Sequence, residues 1–274
     1  RSVRNRFVAW RLQIESERRV AEAVADVAPD IVLIFAEIIN YFGRVKGVPT
    51  IGWLGHTGEP YDQIQTDLGI YKLLGSARLA RLSLPFRRWF RHRKISRQVG
   101  GLDVGLVGSY YFADRFRAIC RRLPRHFHAF SHPAIDEGDQ IGVPDPTEPP
   151  PGPPYTIALV GNLLQTLTNA NLDFTVREIL PEMKRQGLED RFKFVIIGKF
   201  EPRPEMATRL APYRSMIELT GYVENLASAV NRCHMMLHAV PYPPGAGMRL
   251  STAFSLSTAC IVHTAVSESF PELE

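Results

Sequence analysis

The feature that most constrains this fold is a repeated grammar on either side of a proline-rich spacer. Pro144 to Pro154 holds seven prolines in eleven residues, a composition that favours extended polyproline backbone and a semi-rigid link. Before it, apolar runs at Ile31–Phe35, Pro49–Leu54, Val104–Val107 and His128–Ser131 read as strands. Helical spacing falls at Ser16–Val27 and from about Tyr111 to Arg122. After it, strands are expected at Tyr155–Val160, Phe192–Ile197, Ile217–Thr220, Met235–Val240 and Cys260–Thr264. Helices are expected from about Asn171 to Gln186, from about Leu226 to Cys233, and after the turn at Gly245. Short apolar strands alternating with helices mean parallel sheets covered on both faces. The fold class is therefore α/β, with two Rossmann-like domains facing a cleft: residues 1–143, a linker at 144–154, and residues 155–274. In such folds ligands bind beyond the carboxyl ends of the strands, so the turns following the strands are where chemistry belongs.

One of those turns stands out. The run ending at Val240 passes through Pro- and Gly-rich residues that deliver Gly245, Gly247 and Arg249 to a helix start. Free backbone N–H groups, residues small enough for close approach and one fixed cation make an anion site, best suited to a phosphate or diphosphate. A plain strand–turn–helix link is the alternative.

Charge is distributed unevenly. The net charge is +5, and no Asp or Glu occurs between Asp67 and Asp103, while Arg78, Arg81, Arg87, Arg88, Arg91, Arg93, Lys94 and Arg97 all fall there. Leu79, Leu82, Leu84, Phe86, Trp89 and Phe90 are interleaved with them. Segment 78–97 reads as a solvated helical face broken at Pro85, as a contact for an anionic membrane surface, or, least expected, as a nucleic-acid site. The three cysteines, Cys120, Cys233 and Cys260, are widely spaced and match neither a disulfide framework nor a zinc pattern. They are expected as buried, reduced thiols in a cytoplasmic protein. His234 and His238 flank a core strand and are expected as hydrogen-bonded structural residues, and Met235 and Met236 as core filler.

The order of turns in the second half resembles the donor domain of GT-B glycosyltransferases. Leu159-Val-Gly-Asn162 is followed by Asn171 and a helix through Ile179-Leu-Pro181, then Phe194-Val-Ile-Ile-Gly198, Leu219-Thr-Gly-Tyr-Val-Glu-Asn-Leu226, Met236-Leu-His-Ala-Val-Pro241 and Gly245-Ala-Gly-Met-Arg249. The match is most similar to the retaining "group 1" (family 4-like) members. Pro29-Asp30, a strand ending in a His turn, the Ser109 turn and Phe130-Ser-His-Pro-Ala-Ile-Asp136 resemble the acceptor domain.

The resemblance implies transfer of a sugar from a nucleotide-diphosphate donor, a UDP- or GDP-sugar, to a glycan or lipid-linked acceptor. It implies no metal and no other cofactor, because a helix dipole and a cation take the metal's place. Gly161 and Asn162 match the first donor turn, Gly198 and Lys199 the second, Gly221, Tyr222 and Val223 the base-side turn, and Gly245, Gly247 and Arg249 the diphosphate loop. His56 matches an acceptor-domain histidine close to the donor sugar, and Glu59 is a candidate contact or base. His132 is a weaker candidate beside Pro133.

Four family positions depart, one of them an acidic residue before the Gly-rich loop, where Pro243 and Pro244 stand. A Lys two residues beyond Arg249 and a Glu three further on are replaced by Ser251 and Phe254, or by Leu250 and Ala253 if the match shifts by one residue. The usual first-turn Arg is Asn162. Lys199 and His263 are candidate substitute cations. A catalytically degenerate GT-B relative, serving as a binding or scaffold module, is the alternative function. The resemblance also implies an incomplete first domain and a second domain that continues past residue 274, while the reduced cysteines and segment 78–97 lead to the expectation of a cytoplasmic protein, peripheral on the inner membrane surface.

Overall fold

A computed structural model describes residue 19 and residues 22–35, 47–55, 59–130, 149, 151–162, 165–199, 204–243, 248–267 and 269–270. The chain forms two compact units, Arg1–His132 and Pro133–Glu274. Of the proline spacer, only residues 149 and 151–154 are described.

The second unit carries a five-stranded parallel sheet. Its strands are β5 (Tyr155–Val160), β6 (Phe192–Ile197), β7 (Ile217–Gly221), β8 (Met235–His238) and β9 (Cys260–Val262), in the order β7-β6-β5-β8-β9. The last four residues of β5 and of β6 are buried on both faces, as continuous apolar runs in a doubly wound sheet must be. Alternate residues feed opposite cores. Ile157, Leu159, Phe194 and Ile196 pack with Leu172, Val176, Leu180 and Met216, while Ala158, Val160, Val195 and Ile197 pack with Ala227, Val230, Ala253 and Leu256. The strand order reverses between β5 and β8, and that crevice is where an open α/β sheet takes its ligand.

The first unit has a four-stranded parallel sheet in sequence order: β1 (Val32–Phe35), β2 (Thr50–Leu54), β3 (Val104–Val107) and β4 (His126–Ala129). Burial alternates along β2 and β3, and Leu33 is exposed. Ile34, Leu54 and Val107 pack with Ile95, Val99, Phe112 and Phe116. Residues 22–27, within the helix expected at Ser16–Val27, are helical, and after β2 come α1 (Glu59–Asp67), α2 (Ala77–Leu82), α3 (Leu84–Val99) and α4 (Tyr110–Ile119). The break predicted at Pro85 separates α2 from α3, with Pro85 in the first turn of α3, where its missing N–H costs nothing.

Some boundaries move. β4 begins two residues before the predicted His128, because it pairs with β3 from Val104↔His126 onward. The helix predicted from Asn171 begins at Thr166. It runs as α5 (Thr166–Phe174), a π turn over Thr175–Ile179 and α6 (Leu180–Arg185). Pro181, which lacks an N–H and would clash in a regular helix interior, sits just past the wide π turn. Helices α7 (Pro204–Leu210), α8 (Leu226–Asn231), α9 (Met248–Ser255) and α10 (Thr264–Ser267) complete the unit. No described helix is long and apolar enough to cross a membrane.

Candidate functional site

The carboxyl ends of β5, β6 and β7 are knitted together at three glycines. Gly161 N–H donates to the Ile197 carbonyl at 2.9 Å, and Gly198 N–H donates to the Gly221 carbonyl at 2.8 Å. Gly161 has φ of +146° and Gly198 +134°, conformations that L side chains rarely adopt. A Cβ on Gly198 would collide with the Gly161 carbonyl, and one on Gly161 would lie 2.7 Å from Thr168 Oγ1 and against the Arg249 guanidinium. Both turns are therefore closed to any other residue, for reasons of space as well as torsion.

Arg249, in the first turn of α9, lies across the Gly161 turn. Its Nε donates to the Val160 carbonyl at 2.7 Å, and Nη2 donates to Thr168 Oγ1 and, at 3.4 Å, to Gln165 Oε1. Thr168 belongs to the first turn of α5. Two helix N-termini thus meet at the β5/β8 crevice, joined through one guanidinium. Each helix start leaves backbone N–H groups without intrahelical partners, and together with a fixed cation this arrangement attracts an anion.

Behind Arg249, the Asn171 side chain is buried and clamps β8. Its amide donates to the Leu237 carbonyl at 3.1 Å, and its carbonyl accepts from Ala239 N–H at 2.9 Å. His238 lies between those two residues, 1% exposed. Among the described residues neither of its ring nitrogens has a hydrogen-bond partner, contrary to the hydrogen-bonded role expected for it. Burial, assisted by the positive charge of Arg249, pushes its pKa down to about 4, so the ring is neutral at pH 7. His234 behaves as expected: its Nδ1 accepts from Thr156 N–H at 2.9 Å. His263 is committed to the start of α10, where Nδ1 accepts from Ala265 N–H at 3.0 Å.

The remaining sequence-predicted residues are distributed as follows. Asn162 follows Gly161 at the mouth of the crevice, half-buried. Lys199 is exposed at the end of β6. Tyr222 is 79% exposed, and Val223 packs on the core under it. Gly245 and Gly247, in the loop before α9, lie outside the described residues. So do His56 and His132. Glu59 opens α1, but its side chain is outside the described set. Leu250 and Ala253 are fully buried, whereas Ser251 is half-buried and Phe254 exposed. The accessible face of α9 beyond Arg249 is thus uncharged at both positions. In the first unit, Ser109 precedes α4 with its hydroxyl buried and without a hydrogen-bond partner among the described residues.

Gln165 and Thr168 escaped sequence reasoning, and Asn171 entered it only as a position in the order of turns, without a role. They are polar residues one helical turn apart, and only their partners, 66 to 84 positions away in sequence, give them a role.

Residues 154–273 match the family model for glycosyl transferases group 1. Among solved structures the chain is similar to S. aureus TarM, at 10% identity and a TM-score of 0.57, covering 88% of this chain and 43% of that one. It is similar to the lipopolysaccharide outer core galactosyltransferase WaaB, at 12% identity and 0.55, covering 93% and 62%. It is also similar to Anabaena HepE in a complex with UDP and glucose, at 10% identity and 0.52, covering 91% and 64%. At these identities the likeness shows the fold, GT-B. The chain spans less than two thirds of the length of each of these structures. No curated protein matches by sequence.

Proposed function

We propose that this chain, whose residues 154–273 match the family model for glycosyl transferases group 1, transfers a sugar from a nucleotide-diphosphate donor to an acceptor. The observation that carries the reading is Arg249 fixed across the Gly161 turn at the β5/β8 crevice, with two helix starts beside it. A diphosphate there meets a cation and unsatisfied N–H groups, so its charge is balanced without a metal. In this reading Gly161, Asn162, Gly245, Gly247 and Arg249 hold the phosphates. Gly198, Lys199, Gly221, Tyr222 and Val223 hold the nucleoside, which is uridine or guanosine. His56 and Glu59 act at the sugar. Residues 155–274 form the donor side and 1–143 the acceptor side, linked by 144–154. The acceptor is a glycan or lipid-linked molecule at the cytoplasmic membrane surface, and the sugar keeps its anomeric configuration.

Calorimetric titration with UDP and GDP tests this. One of them is expected to bind well below millimolar, and Arg249→Ala to weaken it by about 2 kcal/mol, or about thirtyfold, the worth of a charge-assisted hydrogen bond. If neither nucleotide binds below millimolar in the intact chain, the reading is lost.

The uncharged Ser251 and Phe254 favour a second reading, a degenerate binding module. It predicts nucleotide binding with no release of UDP or GDP from any nucleotide sugar over hours, with or without acceptor.

A further inference from the structure

The basic segment of the first unit divides into two sets once its side chains are placed. Arg87, Arg88 and Arg91 turn inward onto α1. Arg91 makes a fork with Asp62, at 2.7 and 2.8 Å. Arg88 donates to Gln63 at 2.7 Å, and Arg87 donates to Thr66 at 2.8 Å while lying over the Tyr71 ring. These three hold α3 to α1. Arg78, Arg81, Arg93 and Arg97 stay on the outside.

Between the outer cations runs an apolar stripe. On α3, Phe86, Trp89 and Phe90 follow the spacing of one helical face and are 64%, 49% and 52% exposed, and Leu82, the last residue of α2, is 77% exposed. The rings interlock: Phe86 and Phe90 meet edge-on at 4.6 Å between centroids, as do Trp89 and Phe90 at 4.8 Å. Arg93 lies 5.1 Å over Trp89. An exposed, pre-assembled aromatic cluster marks a surface that meets something other than water.

We propose that this stripe and its flanking arginines dock the protein on an anionic lipid bilayer, the rings entering the headgroup boundary and the guanidinium groups pairing with phosphates. Basic residues beside exposed aromatics are the chemistry of such a surface, and no carboxylate between Asp67 and Asp103 repels it. A second copy fits poorly, because a symmetric pairing would set the same cations against themselves. Nucleic acid, drawn by the same cations, makes no use of the exposed aliphatic side chains of Leu79 and Leu82 beside the rings, and the test below separates the two. The docking stands apart from the transferase reading; only its link to a lipid-linked acceptor rests on it.

Co-sedimentation of the full chain with vesicles, without nucleotide, is the test. Binding is expected to phosphatidylcholine vesicles containing about 30 mol% phosphatidylglycerol, about tenfold or more tighter than to phosphatidylcholine alone, and to fall as salt rises from about 0.1 to 0.5 M. Trp89→Ala with Phe90→Ala should weaken it at least about tenfold, and Arg93→Gln with Arg97→Gln about thirtyfold. Circular dichroism melts establish that each variant is folded. The proposal is overturned by absence of binding at low salt, by equal binding to both lipids, or by folded variants that bind like the parent. It is equally overturned if the same variants abolish duplex DNA binding or self-association while vesicle binding is unchanged. A chain that fails on vesicles yet binds UDP or GDP loses this proposal and keeps the transferase reading, and the reverse result does the opposite.

Discussion

At the scale of single residues, His238 is the most informative side chain. It is neutral because burial strips water from its charged form and Arg249 adds repulsion, which together put its pKa at about 4. In the unfolded chain a histidine titrates near about 6.5. The sign follows: between those values the unfolded state binds more protons, so stability is complete above about pH 6.5 and falls as pH drops toward 4. The loss amounts to a few kcal/mol at most. His238→Leu is expected to flatten this dependence, with urea midpoints at pH 7 and pH 5 differing less than in the parent chain. An equal drop in both proteins would show that His238 is not the group being protonated. The same burial explains why sequence reasoning misjudged it: a histidine at a strand end is ordinarily bonded, and nothing within its own segment shows that the described residues around it offer no partner.

At the scale of elements, legibility tracks how far an element's reason for existing lies from it. β5 and β6 match their predicted spans, because a six-residue apolar run closed by a glycine carries its own boundaries. The turns at Gly161, Gly198 and Gly221 were equally legible, since positive φ is a demand that only glycine meets freely. Helix α5 was not. Its first turn, Thr166 to Ala170, has no strong apolar period, and it is helical because Thr168 and Asn171 have distant partners in Arg249 and β8. The candidate anion site was therefore read from the Gly245 loop and Arg249, while the polar row at the start of α5 that holds Arg249 went unread. Asn171→Ala tests that clamp. It leaves the Leu237 carbonyl and Ala239 N–H buried without partners, and should cost about 2–4 kcal/mol in urea unfolding. A cost below about 1 kcal/mol would mean that water or a neighbour replaces the amide.

At the scale of the whole molecule, the two units carry separate cores, so stability and ligand binding can be assigned to one unit or the other. Leu159 is fully buried in the second unit, and Phe112 is nearly so in the first. Leu159→Ala and Phe112→Ala each open a cavity costing about 3–5 kcal/mol, and each should lower the calorimetric transition of its own unit. A nucleotide at about a hundred times its dissociation constant stabilises whatever binds it by about 2.7 kcal/mol. That is close to the lower end of the Leu159→Ala cost. If the donor site lies at the β5/β8 crevice, UDP or GDP must restore most of the loss in Leu159→Ala and leave the Phe112-sensitive transition in place. Rescue of the Phe112→Ala transition instead would put the nucleotide on the first unit and separate the Gly161–Arg249 arrangement from donor binding.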